Sequence, residues 1–562
     1  MDYRRSIANN LWQLSSAADR RVFMNSLEKV PVEQEQLLLR LINRNKKTHF
    51  GKEHNFEHID SIEQYQSEVP LSSYEDYSPY IKKIMGGEEQ VLTEDRVMQL
   101  HLSSGTSSAS KLLPFTPSLQ REFEHGLSLW LGDLFLRFPK IKYGSAYWVF
   151  TPMQTPHHKY ESSIHIGFDQ DEDYFRSMRK RFMRTVMAVP PEVQHIADIK
   201  DLYYVTLLFL LSDKDLRWIS VWNPSFISLL LASFSSQSES LITDLGSGTI
   251  DPAVVLSPKL RTFLESRLRA DPDRAKEIKR LWSACANSDR LPWTNFWPNL
   301  VLISCWADAW AENEIPEIKR LFPGIIVQGK GLLATEGYIT LPFHINKQRL
   351  PAPILAVTTH FFEFINSADN KIYLAHQLQE GQVYEVIITT GGGLYRYRLY
   401  DLVRVEGYYG QAPCLRFLGK TEMISDVRGE KLNNVHVQQV LALCFSHYGI
   451  VPNFYFIAPE IDNNVAKYVL FIEGSGNSHK IEGLLNRIDQ ALCDNFHYAY
   501  CRRLGQLTDP ACFILEKGSK ELYIKEKTRQ RRLATLKIAC LDKRQGWSKI
   551  LPGSFAELHR KS

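Results

Sequence analysis

The sequence predicts an α/β protein, a large N-terminal domain with β-sheets covered by helices, followed by a small α+β C-terminal domain. Three observations predict this. The chain has 562 residues, more than one folding unit at ~100–200 residues per domain. From about residue 100 to 420, short apolar, strand-like runs alternate with helix-like segments. After Phe417 the composition shifts, and a short series of helix- and strand-like segments follows within ordinary domain size.

In chain order, residues 1–100 read as mainly helical and polar. Leu37, Leu38, Leu39, Leu41 and Ile42 mark one buried helix there. The strand-like runs that follow include Ala146–Phe150, Trp218–Val221, Leu300–Ser304 and Ile325–Gln328. Val383–Thr389 is β-branched and apolar, and ends at the turn Gly391-Gly392-Gly393; Arg396–Glu406 reads as the next strand-rich element. Gly419-Lys420-Thr421 reads as a linker and Asp426–Glu430 as a polar turn. These place the domains at 1–418 and 419–562. A helix over Asn434–His447, strands over Asn453–Ala458 and Tyr468–Ile472, and a helix over Ile481–Cys493 complete the small domain.

Composition excludes several classes. Hydrophobic residues make up 44% and charged residues 23%, so the chain is neither disordered nor a disulfide miniprotein. Lys plus Arg minus Asp plus Glu is 67 − 63 = +4, too mild to imply a nucleic-acid partner. The eight Cys form no CxxC pair, which reads as free thiols in a reducing compartment. The N-terminus has no apolar signal region. The most apolar stretches, Leu202–Leu211 and Phe226–Phe234, fall short of the ~18 residues of a membrane span. The expectation is a cytoplasmic protein with no membrane partner.

Three motifs carry candidate chemistry. The first runs from His101 to Pro114. Ser103, Ser104, Gly105, Thr106, Ser107, Ser108 and Ser110 precede Lys111. Small residues let backbone N–H groups approach a phosphate, hydroxyls donate to it, and Lys supplies a point charge. Without GxxxxGK[ST] it is no Walker loop, and its composition alone would suit a Ser-rich surface loop. The second motif, Gly331 to Gly337, sets Thr335-Glu336 close behind the strand-like Ile325–Val327. A hydroxyl there can reach a phosphate and a carboxylate can hold Mg²⁺. The third, Thr389 to Asp401, ends on an acid that can take both ribose hydroxyls; the competing reading of Asp401 is an ion pair with Arg396 or Arg398.

Other features are set aside. Gly324 through Gly329-Lys330 has Walker-like spacing, but Gly331 stands where Ser or Thr is required. Gly246-Ser247-Gly248 reads as a turn, and His157-His158 lacks partners at metal spacing. The basic run Lys525 to Arg532 reads as a solvated helix face.

Taken together, in this order, the motifs resemble the Gretchen Hagen (auxin-responsive) acyl acid amido synthetases of the acyl-adenylate-forming superfamily, in a bacterial-type member. The phosphate loop is similar to Ser103 through Lys111, the strand-end acidic motif to Ala334-Thr335-Glu336, and the ribose motif to Tyr397-Arg398 through Asp401-Leu402-Val403. The hinge and the start of the small domain resemble Phe417 through Lys420 and Gly429 through Leu432. The likeness spans roughly residues 70–540. Three positions depart from the family: Ser108 stands where its loop often has another Gly, Leu332-Leu333 where many relatives place an aromatic, and Tyr400 where Gly usually precedes the acid.

The resemblance implies an ATP-dependent ligase with Mg²⁺ that adenylates a carboxylic acid and passes the acyl group to an amine, an amino acid, forming an amide. It implies that Ser103, Ser104, Gly105, Thr106, Ser107 and Lys111 hold phosphates, that Thr335 binds the α-phosphate and that Glu336 holds Mg²⁺. It further implies that Asp401 and Lys420 hold the ribose side, that Lys537 of a mobile small domain aids adenylation, and that this domain rotates between half-reactions. The alternatives are transfer to the thiol of coenzyme A and a non-catalytic nucleotide-binding relative. Trp130, Tyr147, Trp148, Tyr174 and Phe175 are candidates for lining an acyl pocket.

Overall fold

The computed structural model describes residues 3–103, 111–149, 162–166, 177–285, 293–345, 348–420, 424–462, 465–473, 478–528 and 540–556. The chain divides into two compact units, Met1–Leu102 with Leu112–Gly419, and Ser103–Lys111 with Lys420–Ser562.

The large unit begins with helices, among them Tyr3–Ser26, Val30–Asn45 and Tyr74–Met85. In the second of these, Leu37, Leu38 and Ile42 are buried, while Leu39 and Leu41 are half-buried at the edge of that stripe. Strands β1 (Gln99–Ser103) and β2 (Lys111–Phe115) pair with each other. Next, β3 (Ser145–Trp148), β4 (Leu216–Ser220), β5 (Leu302–Cys305) and β6 (Ile326–Gly329) form a parallel sheet in sequence order. Parallel strands need crossovers. The apolar stretches supply them as helices, Ile199–Ser212 between β3 and β4, and Pro224–Ser247 after β4. Asp198 caps the first by accepting from the N–H groups of Lys200 and Asp201. Among the described residues no helix is long and apolar enough to cross a membrane.

A second, seven-stranded sheet follows: β7 (Thr340–Leu341), β8 (Ile354–Leu355), β9 (Phe361–Asn366), β10 (Ile372–Leu374), β11 (Val383–Thr389), β12 (Tyr397–Tyr409) and β13 (Ala412–Lys420). Its spatial order is β10-β9-β11-β12-β13-β8-β7. Burial alternates strictly along β12 from Tyr397, the period-2 pattern of a strand with one face to the core.

In the small unit, β14 (Phe454–Asp462), β15 (Val465–Glu473), β16 (Ala511–Leu515) and β17 (Gly553–Phe555) form one sheet. The helices Asn434–Tyr448 and Ser478–Leu492 pack on each other, and their apolar faces share a core cluster with β14–β16.

Three sequence expectations are corrected. Gly419-Lys420 is no linker, because β13 runs through Lys420. Asp426–Glu430 is a turn but not a solvated one: Glu430 is fully buried, accepts the Val427 and Arg428 N–H groups at 2.7 and 2.6 Å, and takes the Tyr468 hydroxyl proton bond. Burial, with Asp426 beside it, pushes the Glu430 carboxyl up. A carboxylate that folds its own turn around itself need not face water. Gly246 and Ser247 lie in the helix Pro224–Ser247, and Gly248 stops it at φ +74°, the left-handed C-terminal position that suits Gly.

Candidate active site

Two of the site's turns, the Thr335-Glu336 hairpin and the glycine turn at Gly391, are held by one helix, Pro117–Arg137. Thr116 caps it, accepting from Leu119 N–H, and Pro117 opens its first turn. Thr116 also donates its hydroxyl to the Gly391 carbonyl at 2.8 Å. One turn on, the Glu122 carboxylate accepts the Gly391 N–H at 2.9 and 3.0 Å. Gly391 has no room for a side chain: a Cβ would lie 2.6 Å from Glu122 Oε1 and 2.7 Å from Ser118 Cβ. The glycine turn after β11 is thus pinned to the helix through its backbone.

Glu122 reaches a second element as well. Its Oε2 lies 3.1 Å from His360 Nδ1, and His360 is fully buried. The other ring nitrogen, Nε2, accepts the Tyr338 N–H at 2.8 Å. An accepting Nε2 leaves the proton of a neutral ring on Nδ1, facing the carboxylate. Tyr338 bridges to Leu333, and Ala334 and Gly337 exchange both backbone hydrogen bonds, at 3.0 and 3.2 Å. Thr335 and Glu336 are therefore the two tip residues of a hairpin. Thr335 is half-buried and Glu336 is buried. Gly337 must be Gly, since a Cβ would meet His360 Nε2 at 2.8 Å. One Glu–His pair thus fixes the Thr-Glu hairpin and the glycine turn to the same helix.

Asp401 lies on β12, buried. The register with β11 shifts between Glu385 and Ile387, which face Leu402 and Arg398. The bulge holds Tyr400 at φ +59°, a left-handed conformation in which Gly is the usual residue. Arg396 and Arg398 each hold a glutamate. Arg396 grips Glu363 with two hydrogen bonds of 3.0 and 2.9 Å, and Arg398 grips Glu385 with two of 2.7 and 3.0 Å. Bidentate pairing fixes both orientations.

Of the loop motif, Ser104, Gly105, Thr106, Ser107 and Ser108 lie outside the described residues, as do Lys537, His157-His158, Tyr174 and Phe175. Ser103 ends β1, and Lys111 opens β2 as a buried residue. His101 stacks on Phe115 with ring centroids 4.2 Å apart, and burial lowers its pKa to about 3, so it stays neutral. Lys420 ends β13.

Beside the hairpin a pocket opens at the C-terminal ends of the parallel strands, where ligands enter open α/β sheets. It encloses ≈ 800 Å³, part of it open to solvent, and Trp130, Trp148, Trp222, Phe123, Leu333 and Tyr338 stand in its wall. Trp130 and Trp148 were expected there from the sequence; Tyr147 is buried elsewhere. Phe123, Leu127 and Trp130 line it from successive turns of the helix that carries Glu122. Lys330 and Gly331 line it from the end of β6. Sequence reasoning passed over Lys330 as part of a Walker-like coincidence. The coincidence is explained by Gly331, whose Cβ would lie 2.0 Å from the Thr340 carbonyl oxygen, leaving no room for Ser or Thr. Glu122 and His360 carried no sequence signal, because their partners are backbone groups far along the chain.

The architecture is that of an adenylate-forming enzyme. A solved structure of the acyl acid amido synthetase AtGH3.15 in complex with 2,4-DB matches it with TM-score 0.65, at 17% identity, over 97% of this chain and 98% of that one. The sequence matches the GH3 family N-terminal domain over residues 20–327, the central domain over 353–420 and the C-terminal domain over 435–544. The chain belongs to the GH3 family and is an enzyme of the acyl acid amido synthetase class. Relatives include a probable indole-3-acetic acid-amido synthetase of Arabidopsis thaliana, 22% identical over 79% of this chain and 74% of the relative. Another is a jasmonoyl–L-amino acid synthetase of Nicotiana attenuata, 23% identical over 71% of this chain and 70% of the relative.

Proposed function

We propose that this enzyme uses ATP to adenylate a ring-bearing carboxylic acid and transfers the acyl group to an amino acid. The observation that carries this is the shared support of the Thr335-Glu336 hairpin and an aromatic pocket by one helix. An acid in the pocket would present its carboxylate towards the hairpin. In the first half-reaction a carboxylate oxygen bonds to the α-phosphorus of ATP and the bond to pyrophosphate breaks. In the second, the amine nitrogen bonds to the acyl carbon, loses a proton, and AMP leaves. Charge develops on phosphate oxygens, so positioned donors supply the catalysis.

In this reading the Thr335 hydroxyl donates to the α-phosphate. Asp401, held at its bulge, accepts from the ribose hydroxyls, and Lys420 also serves the nucleotide. Lys111 and the hydroxyl loop Ser103 to Ser107 hold the outer phosphates, and Lys537 aids adenylation. Mg²⁺ fits the residues present. Mg²⁺ keeps several waters and is commonly held by one or two carboxylates plus substrate phosphates, so it needs few protein ligands. Glu336, buried at a hairpin tip beside Thr335, is the carboxylate that would hold it. The ion would neutralise phosphate charge.

The test is a pyrophosphate-release screen over aryl and arylacetic acids, then mass analysis of products with amino acids or coenzyme A. The account expects acid-dependent release and an amide. A thioester as sole product would replace the amine with a thiol, and ATP binding without turnover on any acid would leave a non-catalytic relative.

A further inference from the structure

The pocket wall is apolar but for Ser220, Lys330 and the polar edges of its aromatic rings. Lys330 is buried. Its Nζ donates to Ser220 Oγ at 2.7 Å and lies 4.5 Å from the Trp130 ring centroid and 4.8 Å from that of Trp222. Ring faces attract a cation but take no strong hydrogen bond. An ammonium has three donors, and only one is engaged by an oxygen among the described residues. No carboxylate among the described residues pairs with it. A buried lysine normally has such a counter-charge. The main chain fixes its place: Lys330 N–H donates to the Cys305 carbonyl at the end of the adjacent strand β5 at 2.8 Å, and Ser220 ends β4, the strand beyond it. The cation is held on three sides, by Ser220, Trp130 and Trp222, beside open space.

We propose that Lys330 is the specificity-determining residue of the acyl pocket, donating a charge-assisted hydrogen bond to an oxygen acceptor of the acid. The proposal rests on the reading of the pocket as the acyl site. Burial lowers the Lys330 pKa to about 7, which marks an ammonium short of compensation; an anion in the pocket would restore it. Trp130 is itself oriented by donating its indole N–H to Gln328 Oε1 at 3.2 Å, so the aromatic wall around the cation is positioned too. The acceptor is either the reacting carboxylate or a second oxygen on the acyl body, and both satisfy the same donor.

The test uses the full-length enzyme and Lys330→Met, which keeps an apolar stem and removes the charge. The probes are benzoate, phenylacetate and 4-hydroxybenzoate, each with its primary alcohol counterpart. Binding is read by the fluorescence of the pocket tryptophans without ATP, and pyrophosphate release is read separately. Lys330→Met is expected to weaken acid binding and raise KM for the acid about 10–100-fold, the scale of a hydrogen bond to a charged group, with KM for ATP within about twofold. If the carboxylate is the acceptor, the variant binds acid and alcohol alike. If a second oxygen is the acceptor, only the hydroxylated probe loses affinity. Unchanged affinity of Lys330→Met for all three acids, 4-hydroxybenzoate included, overturns the proposal, as does failure of every probe to bind the native enzyme at millimolar concentration. A rise in KM for ATP equal to that for the acid also overturns it, since that reports general damage. Pyrophosphate release with unchanged acid KM refutes the lysine assignment and spares the amido-synthetase reading. Lys330-dependent binding without release refutes that reading and spares the lysine.

Discussion

Removing Arg396 tests how the strand that carries Asp401 is anchored. Its side chain is almost fully buried and pairs with Glu363, which is equally buried. The guanidinium makes two hydrogen bonds to Glu363 and two more, both 2.8 Å, to the Gln66 and Val69 carbonyls. Glu363 accepts additionally from Gln66 Nε2 at 2.8 Å. Arg396→Met would leave Glu363 a buried carboxylate with that amide as its remaining side-chain donor among the described residues. Breaking a buried pair from one side costs about 3–5 kcal/mol, a large share of the ~5–15 kcal/mol that holds a domain. Arg396→Met/Glu363→Leu removes the stranded charge and should recover about 2 kcal/mol of that loss. Recovery stays incomplete because the two carbonyls lose their donor. The assay is urea unfolding followed by tryptophan fluorescence. All tryptophans but Trp547 lie in the large unit, so its transition is read apart from that of the small one. Asp401 lies five residues along the strand, so KM for ATP should rise in the single variant and fall back in the double. A single-variant loss under about 1 kcal/mol, or a double variant no better than the single, would refute the reasoning.

Two further outcomes follow from local geometry. Gly331→Ser, which would complete the Walker-like spacing, places a Cβ 2.0 Å from a backbone oxygen and 2.5 Å from its carbon. Neither atom is at the end of a flexible side chain, so the variant should lose about 3 kcal/mol or more in the same urea assay, and near-native stability would contradict the hairpin. Asp133 is buried, and desolvation pushes its pKa up to about 7 from 3.8, against the pull of Arg20 and Arg137. Between about pH 4 and 7 the folded state holds a proton the unfolded state has released, so this group's contribution falls as pH rises through that window. Melting temperatures at pH 5 and 8 should show Asp133→Asn gaining on the native protein at the higher pH; parallel curves would contradict it.

Much of the fold was legible because burial and periodicity coincide. β11 is β-branched and buried from Tyr384 to Thr389, and its ends match the sequence reading. The parallel strands β3 to β6 lay within two residues of their expected positions, since each is a short apolar run between helices. Misreadings came where chemistry and environment part. Glu430 looks solvated by composition, yet its own turn supplies its donors. The sequence reading sets Lys330 aside with the Walker-like spacing, yet its strand end places it beside two indoles. The Glu122–His360 side-chain pair joins residues 238 apart in sequence (360 − 122), and each also takes a distant backbone N–H; such pairing leaves no spacing to read. The Thr335-Glu336 and Asp401 motifs were legible as motifs because they sit at a hairpin tip and beside a β-bulge, where residue type and backbone shape are bound together.

The central claim is that the acid attacks the α-phosphorus. It is tested most directly by supplying the acid with both carboxylate oxygens as ¹⁸O, with ATP and an amino acid, and weighing the products. Acyl-adenylate chemistry moves one ¹⁸O into AMP and leaves one in the amide carbonyl. Label appearing in inorganic phosphate, with ADP formed and AMP unlabelled, would contradict the account.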